Sequence, residues 1–199
     1  MQTRCWGRKN IVASLLVFVA LAVPSQMARA QDSLRRFEVG LAFRFMPAGW
    51  FDWSGSDLRA YPALGAAPFL DYRLNRFLSI GFMPEFTLNV IPKVEGYPVS
   101  AMIAPALRVK LEYPGLRFVV PYVLLAPGYS WVLSYEETGA GGRDAHGFAL
   151  SAYGGARVPL GQRCSVFAEF GYLRGFQSEG GNAYAPSYLV IAAGLQVSL

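Results

Sequence analysis

Between Leu78 and Asn89 the chain alternates with a period of two. Leu78, Ile80, Phe82, Pro84, Phe86 and Leu88 point one way, and Ser79, Gly81, Met83, Glu85, Thr87 and Asn89 the other. That period belongs to an extended strand, whose successive side chains face opposite sides. Residues 37–46 repeat it, with Phe37, Val39, Leu41, Phe43 and Phe45 set against Glu38, Gly40, Ala42, Arg44 and Met46. So do the last twelve residues, with Leu189, Ile191, Ala193, Leu195, Val197 and Leu199 on one face. Five weaker segments, about 64–73, 100–111, 118–131, 148–159 and 165–176, raise the expected strands to eight. In 118–131 the apolar side is assigned to Val119, Val123, Leu125, Tyr129 and Trp131, leaving Leu124, Ala126, Gly128 and Ser130 opposite. Prolines 68, 84, 105, 121 and 127 fall inside these segments and each removes a ladder donor.

The connections sharpen the reading. Residues 74–76, 112–117 and 160–164 are short and carry turn chemistry. Residues 47–63, 90–99, 132–147 and 177–187 are longer and polar or glycine-rich. Short and long strictly alternate, as they do when an up-and-down antiparallel barrel has turns at one rim and loops at the other. Strands of this length suit a tilted membrane strand of about 9–11 residues. A soluble, lipocalin-like barrel would hide the apolar face and cover its outside with charge. The face opposite the apolar one is instead mostly Gly, Ala, Ser and Tyr, which suits a narrow lumen. Aromatics gather at both predicted rims: Trp50, Phe51, Trp53, Tyr97, Trp131 and Tyr135 at the loops, Tyr72, Phe77, Tyr113 and Phe118 at the turns.

The first thirty residues read as a separate unit. Arg4, Arg8 and Lys9 precede 13 apolar or small residues, Ile11 to Val23, followed by Pro24 and Ala28-Arg29-Ala30. These are the three parts of a secretory signal peptide, and the run is shorter than a membrane span. The expected domains are therefore a signal peptide, 1–30, and a barrel, 31–199. The chain's net charge of +5 would suggest a nucleic-acid or anionic partner. Four of its 18 basic residues leave with the signal peptide, however, so 14 remain against 13 acidic ones. Nucleic acid is then not expected. Cys164 alone of the two cysteines remains, which excludes an intramolecular disulfide.

The mature chain resembles the small OmpA/OmpX-type outer-membrane β-barrels over about residues 35–199. The resemblance rests on the eight alternating segments, on Leu70-Asp71-Tyr72-Arg73-Leu74-Asn75-Arg76-Phe77-Leu78-Ser79-Ile80-Gly81 and Pro121-Tyr122-Val123, and on the chain ending in a strand. It implies an outer-membrane location, both termini in the periplasm, and insertion by the barrel-assembly machinery. That family usually closes on an aromatic, whereas this chain closes on Leu199.

On this register the lumen receives Glu38, Arg44, Asp71, Arg73, Glu85, Arg108, Lys110, Arg157 and Glu169, five basic and four acidic groups. Arg44 and Glu85 fall nearer the loops; Glu38, Asp71, Arg73, Arg108, Lys110 and Arg157 fall nearer the turns. In a lumen just wide enough for side chains such charges pair into a plug rather than line a pore. An arginine at Gly81, on the lumen side, is expected to be tolerated better than one at Phe82, on the lipid side. Catalysis is not expected, because the single histidine, His146, is placed with Asp144 in a glycine-rich loop that cannot hold a base rigidly. No metal spacing or cofactor motif is present in the sequence. Trp50, Phe51, Trp53, Tyr97 and Trp131, with Asp52, Asp57, Glu136, Glu137 and Tyr184, form the candidate interaction rim. The expected protein is a monomeric, non-enzymatic outer-membrane barrel, held in lipid, with a structural or adhesion-like role through its long loops. Its alternatives are a lipid-modifying enzyme or a narrow pore.

Overall fold

The computed structural model describes residues 36–53, 56–90, 100–116, 118–134, 144–179 and 182–199. The signal peptide assigned to 1–30 lies outside them. The described chain forms β1 (Phe37–Trp53), β2 (Ser56–Arg59), β3 (Ala63–Arg73), β4 (Leu78–Leu88), β5 (Ser100–Glu112), β6 (Val120–Ser134), β7 (Asp144–Pro159), β8 (Cys164–Glu179) and β9 (Asn182–Ser198). Every consecutive pair from β3 to β9 is antiparallel, and β9 returns to pair with β1, closing the sheet. One edge of β1 pairs with β3 over its first half and with β2 over its last four residues. β2 and β3 are thus two pieces of one wall, interrupted around Pro62, and the barrel has eight walls. Among the described strands closure leaves only the short β2 with an unpaired edge, and pairing of the long strands on both sides is the condition for spanning a bilayer with strands.

All eight expected segments are strands, but most run further toward the loop side than the alternation indicated. Residues 47–63 and 177–187 are not long loops. β1 and β2 approach to within residues 54–55, and β8 and β9 to within 180–181. The periodicity fades there because Gly, Asp, Ser and Trp replace the apolar residues above the membrane, where no lipid demands them. The paired backbone continues regardless. Residues 132–147 likewise shrink to 135–143, while 89–99 still separates β4 from β5. Asn89, with φ of 69°, makes the left-handed exit from β4 that asparagine tolerates.

The wall faces are sharply divided. Phe43, Leu64, Phe170 and Leu195 are exposed by about 60% on the outside, while the alternate positions are buried. In β6, Val123, Leu125, Tyr129 and Trp131 point out, and Leu124, Ala126 and Ser130 point in. The prolines are accommodated at breaks in single ladders. Pro68 and Pro84 lie where β3–β4 pairing lapses between Ala66–Phe86 and Leu70–Phe82. Pro105 and Pro127 lie at two lapses in β5–β6, while β4–β5 and β6–β7 pass them uninterrupted. A strand residue directs its N–H to one neighbour only, so each proline costs one ladder and spares the other.

Inside, five buried aromatics each lie opposite a glycine on the adjoining strand: Phe69 on Gly40, Tyr122 on Gly155, Tyr153 on Gly171, Phe167 on Gly194 and Tyr188 on Gly49. A Cβ built on Gly155 would come within 2.7 Å of the Tyr122 ring, whereas one on its neighbour Gly154 meets nothing within 4 Å. Each ring occupies the space that a Cβ on its facing glycine would take. Gly155→Val is therefore expected to lower stability by about 1–3 kcal/mol through overpacking, while Gly154→Val, facing lipid, leaves it unchanged or raises it. Urea unfolding midpoints of the two variants, side by side, check this.

A charge-balanced lumen as the candidate functional site

The turn-side half of the lumen holds a continuous ionic cluster. Lys110 of β5 extends its Nζ to Glu38 (2.8 Å), Glu112 (3.2 Å) and Asp71 (3.3 Å). Arg108, two residues along the same face, pairs with Asp71 (3.1 Å) and Glu169 (3.4 Å). Its guanidinium carbon stands 4.0 Å from the centre of the Phe69 ring. Tyr122 donates its hydroxyl to Glu169 at 2.9 Å. Arg157 grips Glu112 with two N–H donors at 2.9 and 3.0 Å, and Arg73 bridges Glu38 and Glu112. The β register makes this possible, since Glu38 sits opposite Asp71 and Lys110 opposite Ser79. Same-face neighbours across adjacent strands are about 5 Å apart at Cβ, within reach of long cationic side chains.

Nearer the loops, Arg44 and Glu85 form a separate pair at 2.5 Å, with Arg44 also donating to the Tyr153 hydroxyl at 2.8 Å. Beyond it the lumen turns apolar. Met46, Met102, Leu173, Tyr188 and Val190 are fully buried there, and a polar bridge from Gln177 to Ser130 (2.6 Å) joins β8 to β6. The most open side chains of the ionic cluster, Arg73 and Arg157, are only 12% and 11% exposed.

All nine charges assigned to the lumen from the sequence point inward. A tenth, Glu112, was placed by the sequence in the turn 112–117 and is instead the last residue of β5, buried between Lys110, Arg73 and Arg157. With it the lumen holds five basic and five acidic side chains among the described residues. The signal that could have found it is the same-face spacing Arg108, Lys110, Glu112, which continues the strand by one more step. Gly81 does not open onto free space: Asp71 fills the position its Cβ would take. The tolerance expected of Gly81→Arg is thereby withdrawn.

The rim candidates divide. Trp50 is exposed on the outer wall in β1 rather than in a loop, and Trp131 is exposed on the outer wall of β6, on the face expected of it. Phe51, Trp53, Asp57 and Tyr184 fall within strands, but their side chains lie outside the described residues, as do Tyr97, Tyr135, Glu136 and Glu137 altogether. His146 is also not in a loop. It belongs to β7, faces outward, and places its Nδ1 2.6 Å from the Tyr129 hydroxyl. Ser178 is its cross-strand neighbour on the other side. Among the described residues no group of three or more His, Cys, Asp or Glu side chains is arranged to hold a metal ion. Cys164 is exposed at the start of β8.

The fold and its filled, charge-balanced lumen define a small transmembrane β-barrel of the eight-stranded outer-membrane type. Among solved structures, Neisserial surface protein A superimposes with a TM-score of 0.60, 13% identity, and coverage of 82% of this chain and 97% of that one. The outer membrane protein OprG from Pseudomonas aeruginosa does so with a TM-score of 0.53, 11% identity, and coverage of 83% and 96%. At such identity the likeness is one of fold. No protein-family model matches the chain, and no curated protein matches it in sequence.

Proposed function

We propose that this protein is a non-enzymatic barrel of the bacterial outer membrane, serving envelope integrity as a closed wall element and presenting its loop rim outside. One observation carries this reading: the outer wall is overwhelmingly apolar, with Arg59, His146 and Arg174 as exposed polar exceptions in β2, β7 and β8, while the charges of the lumen cluster are turned inward and neutralised. An exterior of this kind is stable in hydrocarbon and insoluble in water. Every cation of the cluster has a carboxylate within ion-pair distance, which supports a plug over the narrow-pore alternative. The reduction of two of the four long connections to two residues each, and of a third to 135–143, also narrows any adhesive role to residues 91–99 and 135–143.

Outer-membrane fractionation combined with a heat-dependent gel shift tests the proposal, the unboiled protein running as a compact form. A soluble pool without a shift would overturn it. Replacing 135–143 by a Gly/Ser linker should leave assembly intact; loss of surface binding in that variant would assign the interaction role to this loop.

A second reading, a lipid-modifying enzyme, is favoured by the placement of His146 on a rigid strand between Tyr129 and Ser178. Its sequence-based exclusion, a mobile loop position, does not hold. No hydrogen bond joins Ser178 to His146, so the nucleophile–base link that such chemistry requires is not formed. Deacylation of outer-leaflet lipid that vanishes in both His146→Ala and Ser178→Ala would establish it.

A further inference from the structure

The short-turn rim repeats one small pattern that the lumen and the walls do not use. Leu74-Asn75-Arg76-Phe77 makes the β3–β4 turn, Leu160-Gly161-Gln162-Arg163 the β7–β8 turn, and Arg36-Phe37 enters β1 beside them. The β5–β6 turn carries the same elements as Leu116 and Phe118, with Arg117 between them in sequence. Leu74, Leu116 and Leu160 are each about half exposed, as are Phe37, Phe77 and Phe118. Arg36, Arg76 and Arg163 are exposed too.

Among the described residues no carboxylate side chain pairs with Arg36, Arg76 or Arg163. Arg36 donates to the Tyr72 hydroxyl at 3.0 Å, and Arg76 lies over the Phe77 ring at 4.5 Å. The described carboxylate side chains nearest this end, Glu38, Asp71 and Glu112, are turned inward and engaged by Lys110, Arg73, Arg108 and Arg157. The rim therefore offers three exposed guanidiniums, two of them beside aromatics, with exposed leucines in the adjoining turns. Aromatic side chains mark the level of the headgroups. Arginine presents a planar fork of donors that matches phosphate oxygens. Exposed leucine at the same level enters the acyl boundary.

We propose that this collar is a binding site for the phosphate groups of anionic phospholipids in the leaflet on the turn side, fixing the depth of the barrel from that side. The inference rests on the membrane reading above, and the experiment separates the two. The full-length mature barrel is folded into vesicles of phosphatidylcholine alone and of phosphatidylcholine mixed with phosphatidylglycerol in equal parts. Spin-labelled lipids then report which headgroup the barrel retains at its surface. Each arginine near the surface contributes enough attraction for about a five-fold preference for the anionic lipid. The wild-type protein should show that preference, and it should fall as salt is raised. R36Q/R76Q/R163Q should lose it while keeping the heat-dependent gel shift, and R36K/R76K/R163K should keep part of it.

A triple glutamine variant that retains the wild-type preference would overturn the proposal and leave the barrel reading standing. So would a wild-type protein with no preference, or one whose preference ignores salt; the salt titration needs no variant. A protein that enters neither kind of vesicle would overturn the membrane reading, and this inference with it.

Discussion

Lys110→Met should destabilise the barrel by about 3–5 kcal/mol, the cost of leaving buried carboxylates without their shared cation. Lys110 is the one side chain that touches Glu38, Asp71 and Glu112 together. Methionine fills much of the same volume, so the loss reports charge rather than a cavity. The pair Lys110→Met with Glu112→Gln should recover part of the loss, because it removes one of the orphaned charges. Arg157 and Arg73 would then lose a partner in turn, which keeps the recovery incomplete. Urea unfolding of the folded protein in vesicles, read by the gel shift, gives the double-mutant cycle directly. Additive effects of the two substitutions would mean that the groups do not interact as the geometry requires.

Phe82→Arg should cost about 2–4 kcal/mol, the depth-dependent penalty of a cation on the lipid face near the middle of the bilayer. Phe82 lies central in β4, about half exposed, between Leu70 and Leu107 on the adjoining strands. No described carboxylate faces outward on these three strands to neutralise it. The comparison that isolates depth is Leu111→Arg, an equally exposed outward residue at the turn end of β5, where the cost should fall to about 0–1 kcal/mol. Equal penalties at the two sites would contradict a bilayer spanning this wall. A detergent-independent measurement, unfolding from vesicles, is required because micelles blur depth.

Much of this was legible from alternation alone. In residues 37–46 and 78–88 a period of two, with Phe and Leu on one side and small or charged residues on the other, names both the strand and its lipid face. A barrel wall imposes that pattern directly, since lipid meets every second residue. The inward direction of Glu38, Asp71, Lys110 and Glu169 followed from the same parity. Glu112 was lost because it stands next to Pro114-Gly115, whose turn chemistry masked one more strand step. The ends of β1, β8 and β9 were lost for a related reason. Above the membrane the outer face meets water and headgroups, so backbone pairing persists after the hydrophobic pattern has stopped. His146 was assigned to a loop on the same ground, and its hydrogen bond to Tyr129 could be seen only once β6 and β7 were paired.

Local pattern thus sufficed for the strand number, the antiparallel order, and the division of each strand into a lipid side and a lumen side. These depend on near neighbours in the chain and on a solvent that is the same all round the barrel. Register and closure lay beyond it, because they are set by partners far apart in sequence. They place a glycine opposite each of the five inner aromatics, gather Lys110 with carboxylates from β1, β3 and its own strand, and leave the rim arginines outside that cluster. A shift of two residues in any one pairing would keep every face as it is and dismantle both arrangements. The alternation is blind to such a shift, and only the packed lumen, where rings need glycines and charges need partners, selects among the registers.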